Sequence, residues 1–340
     1  MAVLGALTAG GDCPGLNAVI RGVVGRSVER DAEVVGVLNG WEGLMNGQVR
    51  SLDRDDVRGI LGRGGTILGT SRLDPYVHGD GLASVEQTLR RTGIDTMIVI
   101  GGDGTLRSAL RLQEEGLPVV GVPKTIDNDI AGTDVSFGFD TAVEIATEAI
   151  DRVTSTAEAH NRIMLVEVMG RTKGWIATYA GIAGGADAIL IPEVDYDLEA
   201  IAEIIRRRHR RGHSYSVVVV GEGVKPPDDA ETPPEVDAFG FARLGGVAYR
   251  IAPVLERLTG FETRVTVLGH TQRGGTPTAF DRVLATRLGV AAADLAIDGQ
   301  SGVMVAVRGT EIVPVPLAEA CEEIKGVNET LYGVARTFFG

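Results

Sequence analysis

The stretch MIVIGGDGTLRSALRLQEEGLPVVGVPKTIDND, residues 97–129, contains the pattern that decides the fold. Two short apolar segments, residues 97–100 and 119–122, flank a helical pattern over residues 106–115. Short segments rich in Val and Ile are typical of strands buried on both faces, and a helix between two such strands is typical of parallel pairing. The stretch therefore predicts one strand–helix–strand unit of an α/β protein.

The same alternation continues on both sides of this unit. Further strands are predicted at residues 34–38, 163–168, 217–220 and 265–268, and residues 1–7 lead into another. Further helices are predicted at residues 17–30, 141–156, 198–211 and 280–297. Repeated alternation of this kind predicts mainly parallel sheets with helices on both faces.

Composition narrows the class of protein. Cys13 and Cys321 are the two cysteines among 340 residues, and their spacing suggests neither a disulfide scaffold nor a zinc site. No apolar run approaches the roughly 18 residues of a membrane helix, and residues 1–7 lack the features of a secretory signal. The formal charge of -13 repels nucleic acid and anionic membranes. We therefore expect a cytoplasmic protein without nucleic-acid or membrane partners, in which local arginine clusters bind anionic substrates.

The first candidate site is the loop GGDCPGLNAVIRG, residues 10–22, which follows a strand and leads into a helix. Glycines let backbone N–H groups approach a phosphate, and a helix N-terminus favours the negative charge. The loop has neither the Walker A spacing nor the dinucleotide fingerprint. A tight turn without a ligand is the alternative explanation.

Two more loops follow the strands of the opening stretch. In GGDGT, residues 101–105, Asp103 would lie beside bound phosphates and could bind magnesium, although it could instead hydrogen-bond its own turn. The segment PKTIDND, residues 123–129, offers Lys124, Asp127 and Asp129. Phosphoryl transfer to a hydroxyl needs a base, a cation and positive charge on the transferred group, which these side chains could supply. In isolation, an Asp-Asn-Asp loop would more often be a turn or a calcium-like site.

The three loops together resemble the phosphofructokinase family, and later motifs agree with it in order along nearly the whole chain. These motifs are Met169 with GRTKGWIA at 170–177, GEG at 221–223 and TRVTVLGHTQRGG at 263–275. The resemblance implies two similar three-layer α/β lobes with mainly parallel sheets. The donor-binding lobe would comprise residues 1–138 plus about 272–322, and the sugar-phosphate lobe about 139–271 plus 323–340. It also implies glycolytic phosphorylation of fructose 6-phosphate at the 1-hydroxyl, with Mg²⁺, in a homotetramer or homodimer.

The resemblance implies a role for individual residues as well. Asp127 would be the base that takes the 1-hydroxyl proton, Asp103 would bind Mg²⁺, and Arg171 would stabilise the transferred phosphoryl group, with Thr125 and Asp129 assisting. The implied donor-binding positions are Gly11, Arg72, Leu73, Gly102, Asp103, Gly104, Thr105 and Lys124. The implied substrate-binding positions are Thr125, Ile126, Asp127, Arg162, Met169, Gly170, Arg171, Glu222, Arg264, His270, Thr271, Gln272 and Arg273. In the family, Arg162 and Arg264 reach across a subunit boundary. For His270 a purely structural role is the alternative to phosphate binding.

Two positions favour different phosphoryl donors. Gly104 resembles the ATP users of the family, because pyrophosphate users typically carry an aspartate there that would repel the α-phosphate. Lys124 resembles the pyrophosphate users. Because a side chain that blocks the nucleotide is decisive whereas a lysine is useful with either donor, we predict ATP, with pyrophosphate as the alternative.

Some features lie outside this assignment. The family's allosteric site is only partly matched, because Arg21 and Arg54 are present while Gly25, Thr154 and Asp187 replace the expected side chains. The Pro-rich segment at 225–235 is predicted to be an exposed loop, and the arginines at 206–211 to complement a helix dipole. GGDGT also occurs in NAD and lipid kinases, but these do not require the later motifs. A catalytically silent nucleotide sensor would be expected to lose an acid or arginine that is retained here.

Overall fold

The computed structural model describes residues 1–77, 79–227 and 244–340, so the predicted Pro-rich loop lies outside the described residues from position 228 onward. The strands are β1 (Val3–Thr8), β2 (Glu33–Val37), β3 (Val49–Leu52), β4 (Thr96–Gly101), β5 (Val119–Pro123), β6 (Ile163–Val168), β7 (Ala188–Leu190), β8 (Ser216–Gly221), β9 (Thr263–Val267), β10 (Val303–Arg308) and β11 (Glu311–Pro316). The helices are α1 (Leu16–Glu29), α2 (Gly40–Met45), α3 (Gly81–Thr92), α4 (Asp103–Glu114), α5 (Phe139–His160), α6 (Trp175–Ala183), α7 (Leu198–Arg210), α8 (Val247–Thr259), α9 (Ala279–Ile297), α10 (Leu317–Glu322) and α11 (Glu329–Arg336).

The chain forms two compact units. Unit 1 comprises Met1–Thr141 and Arg273–Lys325, and unit 2 comprises Ala142–Gln272 and Gly326–Gly340. Both units have mostly parallel sheets with helices packed on them, so the predicted α/β class is confirmed. Within the described ranges, every helix is too short or too polar to cross a bilayer.

The sheet of unit 1 has seven strands in the order β11-β10-β5-β4-β1-β2-β3. The five central strands are parallel, and β3 and β11 pair antiparallel at the two edges. Strand β4 is buried along its whole length, and Met97 and Val99 contact a core that includes Leu106 and Leu112 of α4. This packing explains why the opening stretch alternates as it does, because its strand and its helix bury apolar side chains against each other.

Parallel pairing aligns the carboxyl ends of β1, β4 and β5. Thr8 pairs with Ile100, and Gly101 pairs with Pro123. The three loops predicted from the sequence therefore leave the same edge of the sheet next to one another. This is the edge where ligands bind in open α/β sheets.

In its described residues, unit 2 has a four-stranded parallel sheet in the order β7-β8-β6-β9. Its core joins Leu165 of β6 and Val218 of β8 to Ile205 of α7 and Ile251 of α8. The arginines at the end of α7 form ion pairs, since Arg206 contacts Glu199 and Glu203 while Arg208 contacts Asp187. Asp187, one of the substituted allosteric positions, is thus a buried structural partner of the α7 terminus.

The starts of α5 and α9 are tied together inside unit 1. The buried Asp281 carboxylate accepts hydrogen bonds from Thr141 N (2.8 Å) and Thr141 Oγ1 (2.5 Å). Thr278, which caps α9, donates to Asp140 Oδ2 at 2.6 Å. Burial raises the pKa of Asp281 from 3.8 to about 6, and the like charge of Asp140 also raises it.

Stability should therefore depend on pH through Asp281. Its pKa is higher in the folded state, so the folded protein binds more protons between about pH 4 and pH 6, and stability falls as pH rises through that interval. Two pH units correspond to about 3 kcal/mol. Asp281→Asn keeps an acceptor for Thr141 and should remove this dependence in urea unfolding measured from pH 4 to 7. Asp151→Asn, an exposed position on α5, is the control, and parallel profiles for wild type and Asp281→Asn would contradict the prediction.

Candidate active site

The first phosphate loop connects β1 to α1 through two glycines with positive φ, Gly10 (82°) and Gly15 (106°). Gly10 N donates to Ser71 O at 2.9 Å, and Thr70 Oγ1 donates to Gly10 O at 2.6 Å. A Cβ on Gly10 would lie 3.3 Å from Thr105 Oγ1 and 3.6 Å from Lys124 Nζ. All three predicted loops thus meet at Gly10.

Thr70 and Ser71, which hold Gly10, are followed directly by two predicted donor-binding residues. Arg72 is exposed and Leu73 is half-buried, immediately after Ser71. The hydrogen bonds of Thr70 and Ser71 to Gly10 fix this segment beside the first loop. Arg72 and Leu73 therefore lie next to the first phosphate loop, where a donor-binding residue should lie.

GGDGT is not entirely a loop. β4 ends at Gly101, Gly102 is the N-cap, and α4 begins at Asp103, three residues earlier than predicted. Asp103 and Gly104 therefore lie in the first turn of a helix, where backbone N–H groups lack intrahelical partners and favour an anion. A Cβ on Gly104 would meet nothing within 4 Å, so the space in front of this turn is open.

Lys124 lies at the base of the first loop. Its side chain is 3% exposed, its Nζ donates to Gly11 O, and its N donates to Gly101 O at 2.9 Å. Burial lowers the pKa of Lys124, and the charge of Arg273 lowers it further, although Cys13 and Asp127 oppose this. The structure thus places a lysine amine directly at the backbone of the candidate phosphate loop.

The segment from Thr125 to Asp129 is rigidly held. Asp127 is 3% exposed, and its N donates to Thr125 Oγ1 at 3.0 Å. Asn128 has a positive φ of 51°, and its Oδ1 accepts hydrogen bonds from Ser136 N and Lys325 Nζ. Lys325 N also donates to Asp129 O at 2.8 Å, and Ile126 is fully buried. These contacts fix the backbone on which the two aspartates stand.

Magnesium fits the chemistry of this edge. Asp103 is the predicted ligand, and in the described residues no three His, Cys, Asp or Glu side chains are grouped as a metal cage. Mg²⁺ usually binds one or two carboxylates and completes its shell with water and substrate phosphates. A single carboxylate beside a phosphate-binding turn suits such an ion. Asp103 is paired with Arg107, whose Nε lies 2.9 Å from Oδ1 and 3.1 Å from Oδ2.

Arg273 belongs to unit 1 and lies against the first loop. Its Nη1 donates to Asp12 O at 3.3 Å and would be 2.8 Å from a Cβ on Gly11. Gly11 must therefore lack a side chain for the guanidinium to lie where it does. The resemblance groups Arg273 with the 6-phosphate contacts, and the predicted lobe bounds place it in the donor-binding lobe, at about 272–322.

In unit 2, the turn after β6 is built around Glu222. Its Oε1 accepts hydrogen bonds from Gly170 N at 3.3 Å and Arg171 N at 2.9 Å. Gly170 and Arg171 have φ values of 145° and 53°, and a Cβ on Gly223 would lie 1.9 Å from Arg171 O. The buried Gln272 accepts from Met169 N at 2.8 Å. The structure thus brings Met169, Gly170, Arg171, Glu222 and Gln272 together at the carboxyl end of the sheet.

His270 and Thr271 lie in a short 3₁₀ helix, Gly269–Arg273, directly after β9. Both are exposed, and Thr271 Oγ1 donates to Leu268 O at 2.7 Å. They are therefore at the same carboxyl edge of the unit 2 sheet as the Met169 turn.

Arg162 and Arg264 lie at the opposite end of that sheet, where β6 and β9 begin. Arg162 precedes β6, Arg264 is at the start of the neighbouring β9, and both pair with Glu262. Because β6 advances about 3.3 Å per residue, its two ends are about 17 Å apart. One copy of unit 2 therefore does not bring these arginines to its own Met169–Arg171 turn.

Sequence reasoning missed Lys325, Ser136 and Arg107. Lys325 contacts a loop almost 200 residues away, so no local pattern could reveal it. Arg107 would have been found by extending α4 to Asp103, because residues four apart on a helix are neighbours.

Comparisons with known proteins agree with this arrangement. A family model described as Phosphofructokinase matches residues 3–296. A pyrophosphate–fructose 6-phosphate 1-phosphotransferase from Amycolatopsis methanolica is 54% identical, and an ATP-dependent 6-phosphofructokinase from Mycobacterium bovis is 53% identical, each over 99% of both chains. The structure of Pichia pastoris phosphofructokinase in the T-state superposes with a TM-score of 0.83 at 32% identity, covering 99% of this chain and 36% of the yeast chain. With the ordered motifs and the aligned loops, these matches establish that the chain belongs to the phosphofructokinase family.

Proposed function

We propose that this protein is a cytoplasmic 6-phosphofructokinase of glycolysis that transfers a phosphoryl group from MgATP to the 1-hydroxyl of fructose 6-phosphate. The observation that carries the proposal is the meeting of three loops at the carboxyl ends of β1, β4 and β5. They bring a glycine-rich turn, a helix N-terminus and the Lys124 amine to Gly10. These are the groups that bind and neutralise a polyphosphate.

In this proposal unit 1 binds the donor. Gly11, Arg72, Leu73 and residues 102–105 contact its phosphates and nucleoside, and Lys124 supplies positive charge. Asp103 would hold Mg²⁺, which neutralises charge on the donor phosphates when bound. Asp127 removes the proton of the 1-hydroxyl, and its rigid backbone supports this role because a base must be held within hydrogen-bond reach of its proton.

Unit 2 binds the sugar phosphate. The turn held by Glu222 presents Met169, Gly170 and Arg171, and a fixed guanidinium at Arg171 would stabilise charge on the transferred group without reorganising. His270, Thr271 and Gln272 complete the phosphate contacts of unit 2, and Arg273, which belongs to unit 1, is proposed as a further phosphate contact. Arg162 and Arg264 are proposed to serve the site of a neighbouring subunit in a homotetramer or homodimer. Their position at the opposite end of the sheet supports this, because they lie far from the substrate turn of their own chain.

Pyrophosphate is the second candidate donor. Lys124 favours it, and a relative that is 54% identical is named for it. ATP is preferred here because the helix turn at Gly104 is open, which leaves room for the α-phosphate and the nucleoside.

The decisive experiment compares the two donors. Purified protein with Mg²⁺ and fructose 6-phosphate is assayed for fructose 1,6-bisphosphate at matched concentrations of ATP and of pyrophosphate. We expect kcat/KM to be at least about 100-fold higher with ATP, equivalent to about 3 kcal/mol. A preference for pyrophosphate would overturn the donor assignment, and no product with either donor would overturn the proposed function.

A further inference from the structure

The predicted metal ligand already has a cationic partner. Arg107 Nε donates to both oxygens of Asp103, across one turn of α4. The two side chains are 45% and 29% exposed, so the pair lies at the surface of the open space in front of Gly104. The guanidinium of Arg107 is charged at neutral pH, as that of any arginine is.

This pair and a metal ion compete for the same carboxylate. A divalent cation that binds Asp103 would come within a few ångströms of the guanidinium, and the two positive charges repel at that distance. Because both side chains are partly exposed, the ion pair costs little to break. Metal binding should therefore displace Arg107 rather than be prevented by it.

A displaced Arg107 needs another anionic partner. Among the described residues, Cys321 is the other ionisable group that acts on Arg107, but burial raises the pKa of its thiol to about 11, so it stays neutral near neutral pH. The helix turn beside Arg107 faces the space assigned to the donor, and arginine binds phosphate oxygens with several donors at once. Donor phosphates are therefore the matching acceptor.

We propose that Arg107 is a positioning residue that neutralises Asp103 in the donor-free protein and moves to the donor's phosphate oxygens when the metal–donor complex binds. Arg107 thereby couples metal binding to donor binding. The inference rests on the proposed function, in which Asp103 is the metal ligand and the donor binds in front of Gly104. The competing explanation is an ordinary surface pair on a helix, such as Arg90 with Glu86 on α3.

Direct binding measurements separate these explanations. Mn²⁺ alone is titrated into donor-free wild type, Arg107→Met and Arg90→Met, with bound ion followed by electron paramagnetic resonance. The affinity for a non-hydrolysable imido analogue of ATP is then measured at saturating Mn²⁺ by calorimetry. For Arg107→Met we expect Mn²⁺ to bind about 2- to 5-fold more tightly and the analogue about 10-fold or more weakly. Arg90→Met, the matched control, should change neither.

The outcomes also distinguish this inference from the proposed function. Unchanged Mn²⁺ and analogue affinities in Arg107→Met would overturn the inference. They would not bear on the proposed kinase function. Weaker Mn²⁺ binding in Arg107→Met would likewise overturn it. Equal Mn²⁺ binding by wild type and Asp103→Asn would show that Asp103 is not the metal ligand, and this would overturn the inference as well. Circular dichroism and thermal unfolding verify that each variant is folded.

Discussion

Replacing Asp127 with serine is expected to lower kcat by about 10²- to 10⁴-fold, the usual contribution of a general base. Asp127 is 3% exposed, and the hydrogen bond from its backbone N to Thr125 Oγ1 does not involve the carboxylate. The contacts of Asn128 and Lys325 also hold this loop, so the substitution should leave its backbone intact while it removes the acceptor for the 1-hydroxyl proton. Binding of fructose 6-phosphate, measured by calorimetry, should change little.

The control for this variant is Asp134→Ser. Asp134 is an exposed acid that follows the Thr125–Asp129 segment, and its carboxylate accepts a hydrogen bond from Gly309 N. This control should retain nearly the wild-type kcat. An unchanged kcat in Asp127→Ser would remove Asp127 from the role of base. A large loss of sugar binding with kcat preserved would assign it to substrate positioning instead.

Replacing Gly104 with aspartate is expected to lower kcat/KM for ATP by about 10²- to 10³-fold. A carboxylate there would face the donor phosphates, and like charges in contact cost several kcal/mol. The protein itself should tolerate the change, because a Cβ at this position meets nothing within 4 Å and an acid is favourable in the first turn of a helix. The loss should be smaller with pyrophosphate, which has no α-phosphate or nucleoside to displace.

Gly104→Asn is the matched control, because asparagine has nearly the same size without the charge. Any loss common to both variants is steric, and we expect aspartate to cost at least about 10-fold more than asparagine with ATP. The thermal unfolding midpoint of both variants should stay close to wild type. Equal kcat/KM values for ATP in wild type and Gly104→Asp would show that this position does not select the donor.

Several predicted strands and helices proved reliable because they depend on local patterns. β5 and β6 begin at the predicted residues, and α7 and α9 differ from prediction by one residue at an end. The start of α4 was placed three residues late, since GGDGT was interpreted as a loop. Glycine lowers helix propensity, but here Gly102 adopts the extended backbone of an N-cap and Asp103 is an acid in the first turn, so the helix begins inside the glycine motif.

The site was predicted less completely than the fold. The motifs identified the candidate residues, yet their contacts come from segments far apart in the chain. Lys124 reaches Gly11 O across 113 positions, and Lys325 binds Thr133 O across 192. A local pattern does not encode which distant segment a side chain will reach, so neither contact could be anticipated.

By itself, the sequence determined the α/β class, the order of the phosphate loops and the membership of the phosphofructokinase family, because strand and helix periodicity and motif spacing are properties of short segments. Only the tertiary structure decided that Lys124 is buried under the first loop, that Arg273 lies on Gly11, and that Arg162 and Arg264 lie at the end of the sheet opposite the Met169–Arg171 turn. These features depend on which strands are neighbours and in which direction they run. Strand order and packing arise from burial summed over the whole chain, and no short segment encodes them.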